Sequence, residues 1–146
     1  MKISKDAQAV IAKVTPSKKY SFLLLKRFDK DKQEDHYRLV KGGVKGEEST
    51  SSAAEREAAE EAGVKNVTNL GVIDSYSYTA GEIKHDVDVY LLLSENDTVS
   101  LDSSEEGGFT IKDFDWLSKD EAINKLNFAD EKKMIEKASE ILNKRG

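Results

Sequence analysis

The sequence has no cysteine, only two histidines and a single proline in 146 residues. Without cysteine there is no disulfide framework, no thiolate metal site and no cysteine nucleophile. With only His36 and His85, a multi-histidine metal centre is excluded as well. Any metal site must be built mainly from oxygen, which favours Mg²⁺, Mn²⁺ or Ca²⁺ over zinc. Long apolar runs are also missing. Runs such as Phe22 to Leu25 are far short of the ~18 residues needed to span a bilayer. Residues Met1 to Lys13 are too polar for a signal peptide, so a soluble cytoplasmic protein is expected, with no membrane partner. Nor is there an excess of positive charge: 23 Lys and Arg stand against 28 Asp and Glu, a net −5. A mildly acidic chain is not expected to bind nucleic acid, which draws on a basic surface. A small phosphorylated ligand is compatible with it, because a bound cation reverses the local sign.

What is present suits one folded domain over residues 1–146. The chain is 38% hydrophobic and 8% aromatic with nine glycines, which excludes collagen-like, low-complexity and disordered classes. A chain of this length buries roughly two-thirds of its unfolded surface. Ala7 to Val14 and Ser21 to Phe28 read as two strands of a hairpin, with Ser17 to Tyr20 as its turn. His36 to Val40 reads as a short strand entering the glycine-rich stretch at 41–46. Ser52 to Ala62 reads as a helix. Val67 to Tyr78 and Ile83 to Leu93 read as strands joined by a turn at Thr79 to Gly81, and Ser94 to Gly108 as a polar loop. Phe109 to Leu117 reads as the last strand, followed by helices at Lys119 to Leu126 and Ala129 to Asn143. Strands and helices mix without regular alternation, which predicts an α/β fold of the mixed α+β kind, with helices on the faces of a mixed sheet.

The helix at 52–62 carries the strongest chemical signal. Ser52 and Glu55 have capping-box spacing, and Gly63 falls where a helix stops. Glu57, Glu60 and Glu61 stand at i, i+3 and i+4 and share one helix face, beside a stripe of Ala54, Ala58 and Ala62. Like charges at this spacing destabilise a helix, so the face is either simply solvated or offset by a cation. Hydrolysis of a phosphoanhydride adds charge to an already anionic group. Divalent cations neutralise that charge and activate water. Three carboxylates on a rigid element supply the oxygen ligands that magnesium demands. The glycines at 42–46 let backbone groups approach metal and phosphate closely. Arg56 lies beside Glu60, away from the alanine stripe, and is placed to pair with Glu48 and hold the loop against the helix.

The spacing as a whole is specific. Gly42, five residues, Glu48, seven residues, Arg56, Glu57, Ala58, Ala59, Glu60, Glu61, Ala62, Gly63, Val64 resembles the Nudix box, G-x5-E-x7-R-E-U-x-E-E-x-G-U, with U a bulky apolar residue. Only Ala58 is smaller than the pattern asks. A chance match at this many fixed positions is on the order of one in a million at average residue usage. The resemblance implies an α/β/α sandwich and a metal-dependent hydrolase, using Mg²⁺ or Mn²⁺, of a nucleoside diphosphate linked to another group. It implies Glu57 and Glu61 as main metal ligands, and Glu60 as a ligand or base. It implies Glu48 with Arg56 as a structural pair and the carbonyl near Gly42 as a backbone ligand. A further carboxylate from outside the box is expected at Glu105 or Glu106.

Within that family, His36 to Gly43 resembles the H-W-x-x-P-K-G segment of diadenosine tetraphosphate hydrolases, with Tyr37 for tryptophan and Val40 for proline. Phe114 to Ser118, Glu121-Ala122, and Leu126 with Phe128 resemble the closing part of the same subfamily. Lys41 to Val44 with Glu47-Glu48 also resembles diphosphoinositol polyphosphate phosphohydrolases. The expected substrate is thus a small-molecule dinucleoside polyphosphate. The alternatives are ADP-ribose, a nucleoside triphosphate, a diphosphoinositol polyphosphate, or a nucleotide-binding sensor without turnover. Lys41 is a candidate phosphate contact. Tyr37, Tyr76, Tyr78 and Tyr90 are candidates for stacking on a base. His85 reads as a satisfied or exposed histidine.

Overall fold

Strand β1 (Lys2–Val14) is the spine of the sheet, and every residue from Asp6 to Ala12 is buried. Its alternation serves two faces at once. Val10 and Ala12 enter one apolar core, while Ala7, Ala9 and Ile11 enter the other. The structure, a computed structural model, describes residues 2–101 and 109–145. Strand β2 (Tyr20–Asp29) leaves β1 through a tight turn and pairs with it only over Tyr20 to Phe22. The two then part. Strand β4 (Val40–Gly43) lies antiparallel beside β1, and β3 (Glu34–Arg38) lies antiparallel beside β2. Strand β6 (Ile83–Ser94) runs parallel to β1 along its other edge, and β5 (Val67–Ala80) closes that side. Strand β7 (Phe109–Leu117) pairs with β2. The seven strands form one mixed sheet.

Helix α1 (Thr50–Ala62) packs on one face through Ala53, Ala54, Ala58 and Ala62. These small side chains let its backbone lie close over Ala7, Ala9 and Val40. Helices α2 (Lys119–Lys125) and α3 (Ala129–Arg145) cover the other face through Ala122, Met134, Ile135, Ala138 and Leu142. The molecule is therefore the α/β/α sandwich with a mixed sheet that the sequence predicts.

Several boundaries differ from expectation. β1 starts at Lys2, not Ala7, because β6 gives residues 2–5 a parallel partner. The single strand expected over His36 to Val40 is two, broken at Leu39, and Lys41 to Gly43 belong to β4 rather than to a loop. Helix α1 begins at Thr50 with Ser49 as N-cap, its side chain accepting from the Ser52 amide. Ser52 is therefore inside the helix, and Glu55 accepts from the Asn69 side chain instead of closing a capping box. The turn between β5 and β6 is centred on Gly81, one step later than read.

Candidate active site

Glu57 and Glu61 stand one turn apart on α1, over the place where β4 meets the loop that follows it. Their side chains are only 12% and 14% exposed, whereas that of Glu60 is 50% exposed. The glycine at 42 makes room for this. A Cβ there would lie 2.2 Å from the Glu57 carboxyl carbon. The carboxylate thus rests directly on the β4 backbone.

Arg56 braces the surroundings. Its Nε and Nη2 donate to the two oxygens of Glu48 at 2.8 and 2.9 Å, a bidentate fork. Nη2 also donates to the Gly43 carbonyl at 2.9 Å, and Nη1 to Glu57 at 2.7 Å and Glu60 at 3.1 Å. One guanidinium therefore ties the 43–48 loop to the helix. Glu48 also accepts from the Lys45 amide at 3.1 Å. Hydrogen bonding from Arg56, then from that amide, holds the Glu48 carboxyl down to about 2.

Glu61 lives differently. It accepts from Arg27 on β2, and its Oε2 is buried with no hydrogen-bond partner. Burial is the main force pushing its carboxyl up to about 8; Arg27 opposes the rise and adjoining Glu57 adds to it. These two neighbouring carboxylates are the groups here that could hold a cation. Among the described residues no third histidine, aspartate or glutamate closes a full ligand set. Carboxylate oxygens are the kind of ligand a hard divalent ion takes. The sequence reading missed Arg27. Its signal was a charged residue at the same strand parity as the core-facing Leu23 and Leu25.

The opposite sheet face carries a second polar group. Lys41 donates to Asp6 at 3.1 Å and to the Tyr78 hydroxyl at 2.5 Å. His85 Nδ1 lies 2.8 Å from Asp6, and its ring stacks on Tyr78 with centroids 4.7 Å apart. Burial works to raise the Asp6 pKa, but Ser4, Lys41 and His85 together hold it below the usual range. Tyr76 stacks beside Tyr78 and donates to Gln8, which donates to buried Glu131 on α3. Glu131 also accepts from Arg38 at 2.8 Å and from the Leu39 amide at 3.0 Å. Neither Asp6 nor Glu131 stood out in the sequence. Tyr37 lies further along this face, its ring flanked by Lys125 and Lys26.

So Lys41, Tyr76 and Tyr78 are brought together, and Glu57, Glu61, Glu48 and Arg56 are brought together on the α1 side. Tyr90 stands apart from the other tyrosines. It packs on the α1 face, its hydroxyl 2.6 Å from Thr50, and is spent on seating the start of that helix. Glu60 is turned outward to Arg56. Glu105 and Glu106 lie outside the described residues.

The NUDIX domain family matches residues 5–138. The chain therefore belongs to the Nudix family, as an enzyme of its pyrophosphohydrolase class. Among solved structures, a C. elegans Ap4A hydrolase in a binary complex shares 25% identity at a TM-score of 0.81, covering 97% of this chain and 98% of that one. A NUDIX hydrolase from Listeria monocytogenes has the same fold at 20% identity and a TM-score of 0.79, covering 96% and 94%. The NUDIX domain of Shewanella oneidensis NrtR complexed with ADP ribose follows at 16% identity and 0.74, covering 97% and 90%. No curated protein sequence matches the chain at a significant level. No described helix is long and apolar enough to cross a membrane.

Proposed function

We propose that the protein hydrolyses dinucleoside polyphosphates of the diadenosine tetraphosphate type, using Mg²⁺ or Mn²⁺ held at Glu57 and Glu61. The observation that carries the metal reading is the buried, unpartnered oxygen of Glu61 beside a second carboxylate. The substrate reading rests on the likeness to the C. elegans Ap4A hydrolase over nearly the whole chain, together with the lysine and tyrosines on the face across from α1.

Glu57, Glu61 and the carbonyl near Gly42 are the ligands on this reading, with Glu105 or Glu106 as a further carboxylate. A bound divalent ion neutralises the phosphates, polarises the phosphoryl oxygen and activates water. The chain's own residues do the rest. Arg56 and Glu48 fix the loop so that the β4 backbone stays under Glu57. Glu60, exposed and bonded at its Oε2 to Arg56, serves on this reading as the base for the attacking water or as a further ligand. Lys41, anchored by Asp6, presents positive charge toward a polyphosphate. Tyr76 and Tyr78 form a stacked pair that offers a base an aromatic face, and Tyr37 offers a third ring nearby.

The test is a panel of diadenosine tetraphosphate, ADP-ribose, nucleoside triphosphates and diphosphoinositol polyphosphates, incubated with Mg²⁺ or Mn²⁺ and resolved by chromatography. Asymmetric cleavage with one water, giving a nucleoside triphosphate and a monophosphate, is the expected result. A kcat/KM tenfold higher for another member of the panel, about 1.4 kcal/mol in transition-state stabilisation, overturns the substrate reading. Full turnover in excess EDTA overturns the metal reading, and tight binding of every nucleotide without turnover points to a sensor.

A further inference from the structure

We propose that the buried pair Glu131 and Gln8 is a positioning device for the substrate face: it fixes the Tyr76 hydroxyl inside the protein and so holds the Tyr76 ring across the sheet, as a platform for a nucleotide base. The proposal rests on the reading of Tyr76 as a stacking residue.

Gln8 is out of character with its strand. Every residue from Asp6 to Ala12 is buried, Gln8 completely, and Val10 and Ala12 on the same strand face enter the apolar core. Burying an amide there costs free energy unless both its ends are paired. They are paired, and in one order only. Glu131 of α3, itself 1% exposed, meets three donors. Its Oε2 accepts from Gln8 Nε2 at 2.8 Å and from the Leu39 amide at 3.0 Å, and its Oε1 accepts from Arg38 Nε at 2.8 Å. A carboxylate only accepts, so the Gln8 amide must turn its nitrogen toward Glu131 and its oxygen away. That oxygen accepts from the Tyr76 hydroxyl at 3.0 Å. Glu131 therefore sets the direction of both bonds and makes the Tyr76 hydroxyl the donor. Burial, and next the charge of Glu131, push that hydroxyl above the usual tyrosine range, so it keeps the proton it donates.

Sheet geometry turns this bond into an orientation. Tyr76 is on β5 and Gln8 on β1, with β6 between them: Val87 pairs with Tyr76 on one side and with Asp6 on the other. Neighbouring strands lie about 4.8 Å apart, so a hydroxyl that reaches Gln8 is carried across β6 rather than off the sheet. The ring is thereby laid against the apolar core and beside Tyr78, with centroids 6.3 Å apart and 27° between the planes. The bond is not needed to dock α3. Glu131 already grips Arg38 and the Leu39 amide, and Lys137 grips Asp74 on β5. What Gln8 adds is the far end of the chain, the Tyr76 hydroxyl. A ring fixed before a ligand arrives spares the cost of ordering it on binding.

The experiment is steady-state kinetics on diadenosine tetraphosphate with Mg²⁺, comparing wild type, Gln8→Met, Tyr76→Phe and the double variant, with folding checked by thermal unfolding. Methionine keeps the length of Gln8 and removes both of its bonds. Gln8→Met and Tyr76→Phe are each expected to raise KM roughly threefold or more with kcat within about twofold. The double variant is expected to be no worse than the worse single one, because both changes cut the same bond. A folded Gln8→Met with wild-type KM, or one that loses kcat instead, overturns the proposal and leaves the substrate reading intact. Single effects that multiply in the double variant do the same. No turnover of diadenosine tetraphosphate by wild type overturns both. Should Gln8→Met not fold, Tyr76→Phe decides: a raised KM with kcat within about twofold supports the proposal, and a wild-type KM overturns it.

Discussion

Gly42 shows how a single missing methyl group holds a site together. A Cβ there meets the flexible end of Glu57 at 2.2 Å rather than backbone. The helix and strand can therefore stay in place while the carboxylate moves. Gly42→Ala is expected to keep the melting temperature within a few degrees while kcat falls tenfold or more, about 1.4 kcal/mol; steady-state kinetics beside calorimetry check the split. Glu48 offers a second test. Its folded pKa, about 2, lies below its ordinary value of 4.5. Its contribution to stability is then fully present above pH 4.5 and lost as pH falls toward 2. Glu48→Gln should flatten the fall of the urea midpoint with pH in that window and leave the remainder of the profile parallel to wild type.

Helix α1 is the element on which the site depends, and its two ends were unequally legible. Gly63 was readable because one residue type answers one need. It sits at φ 66°, and its amide and that of Val64 close the helix on Ala59 and Ala58. A Cβ at 63 would also lie 2.8 Å from the Ser100 backbone oxygen. Gly63→Ala is thus expected to cost roughly 1–3 kcal/mol from the left-handed backbone alone, read from chemical unfolding. The start was ambiguous, because Ser49, Thr50, Ser51 and Ser52 are all residues that cap helices. Tertiary contacts decided it: the Thr50 hydroxyl bonds Asp88 and Tyr90 on β6, which pulls Thr50 into the helix and leaves Ser49 as cap. Ser49→Ala should cost about 1 kcal/mol and Ser52→Ala clearly less. Equal costs would place the cap elsewhere.

At the scale of the whole molecule, what could be read from sequence was what lies close in sequence. The box from Gly42 to Val64 is one strand end, one loop and one helix, so its spacing already fixes which groups meet. Arg56 and Glu48 are eight residues apart and pair directly. Arg27 reaches Glu61 across 34 residues, Lys41 reaches Asp6 across 35, and Gln8 reaches Glu131 across 123. Those meetings depend on sheet register and on where α3 docks, and local patterns do not set either. Tyr90 could be separated from Tyr76 and Tyr78 only by knowing that β6 turns Tyr90 toward α1.

The same architecture sets the stability of the metal-free fold against the proposed cation site. The folded chain crowds Glu57 against Glu61, with burial and mutual repulsion raising the Glu61 pKa, so the metal-free fold carries a local cost that an ion would relieve. Glu57→Gln removes one charge from that pair while keeping an Oε1 to accept from Arg56. In EDTA this variant should therefore melt at or above wild type. A ligand that binds only the folded state stabilises it by about 2.7 kcal/mol at a hundredfold excess over its Kd, or roughly 5–10 °C for a chain of this size. Wild type should show such a rise on adding Mn²⁺, and Glu57→Gln should lose most of it along with kcat. A Glu57→Gln protein that melts well below wild type in EDTA would mean that Glu57 serves the fold, and that the crowding of carboxylates on α1 is not held in reserve for a cation.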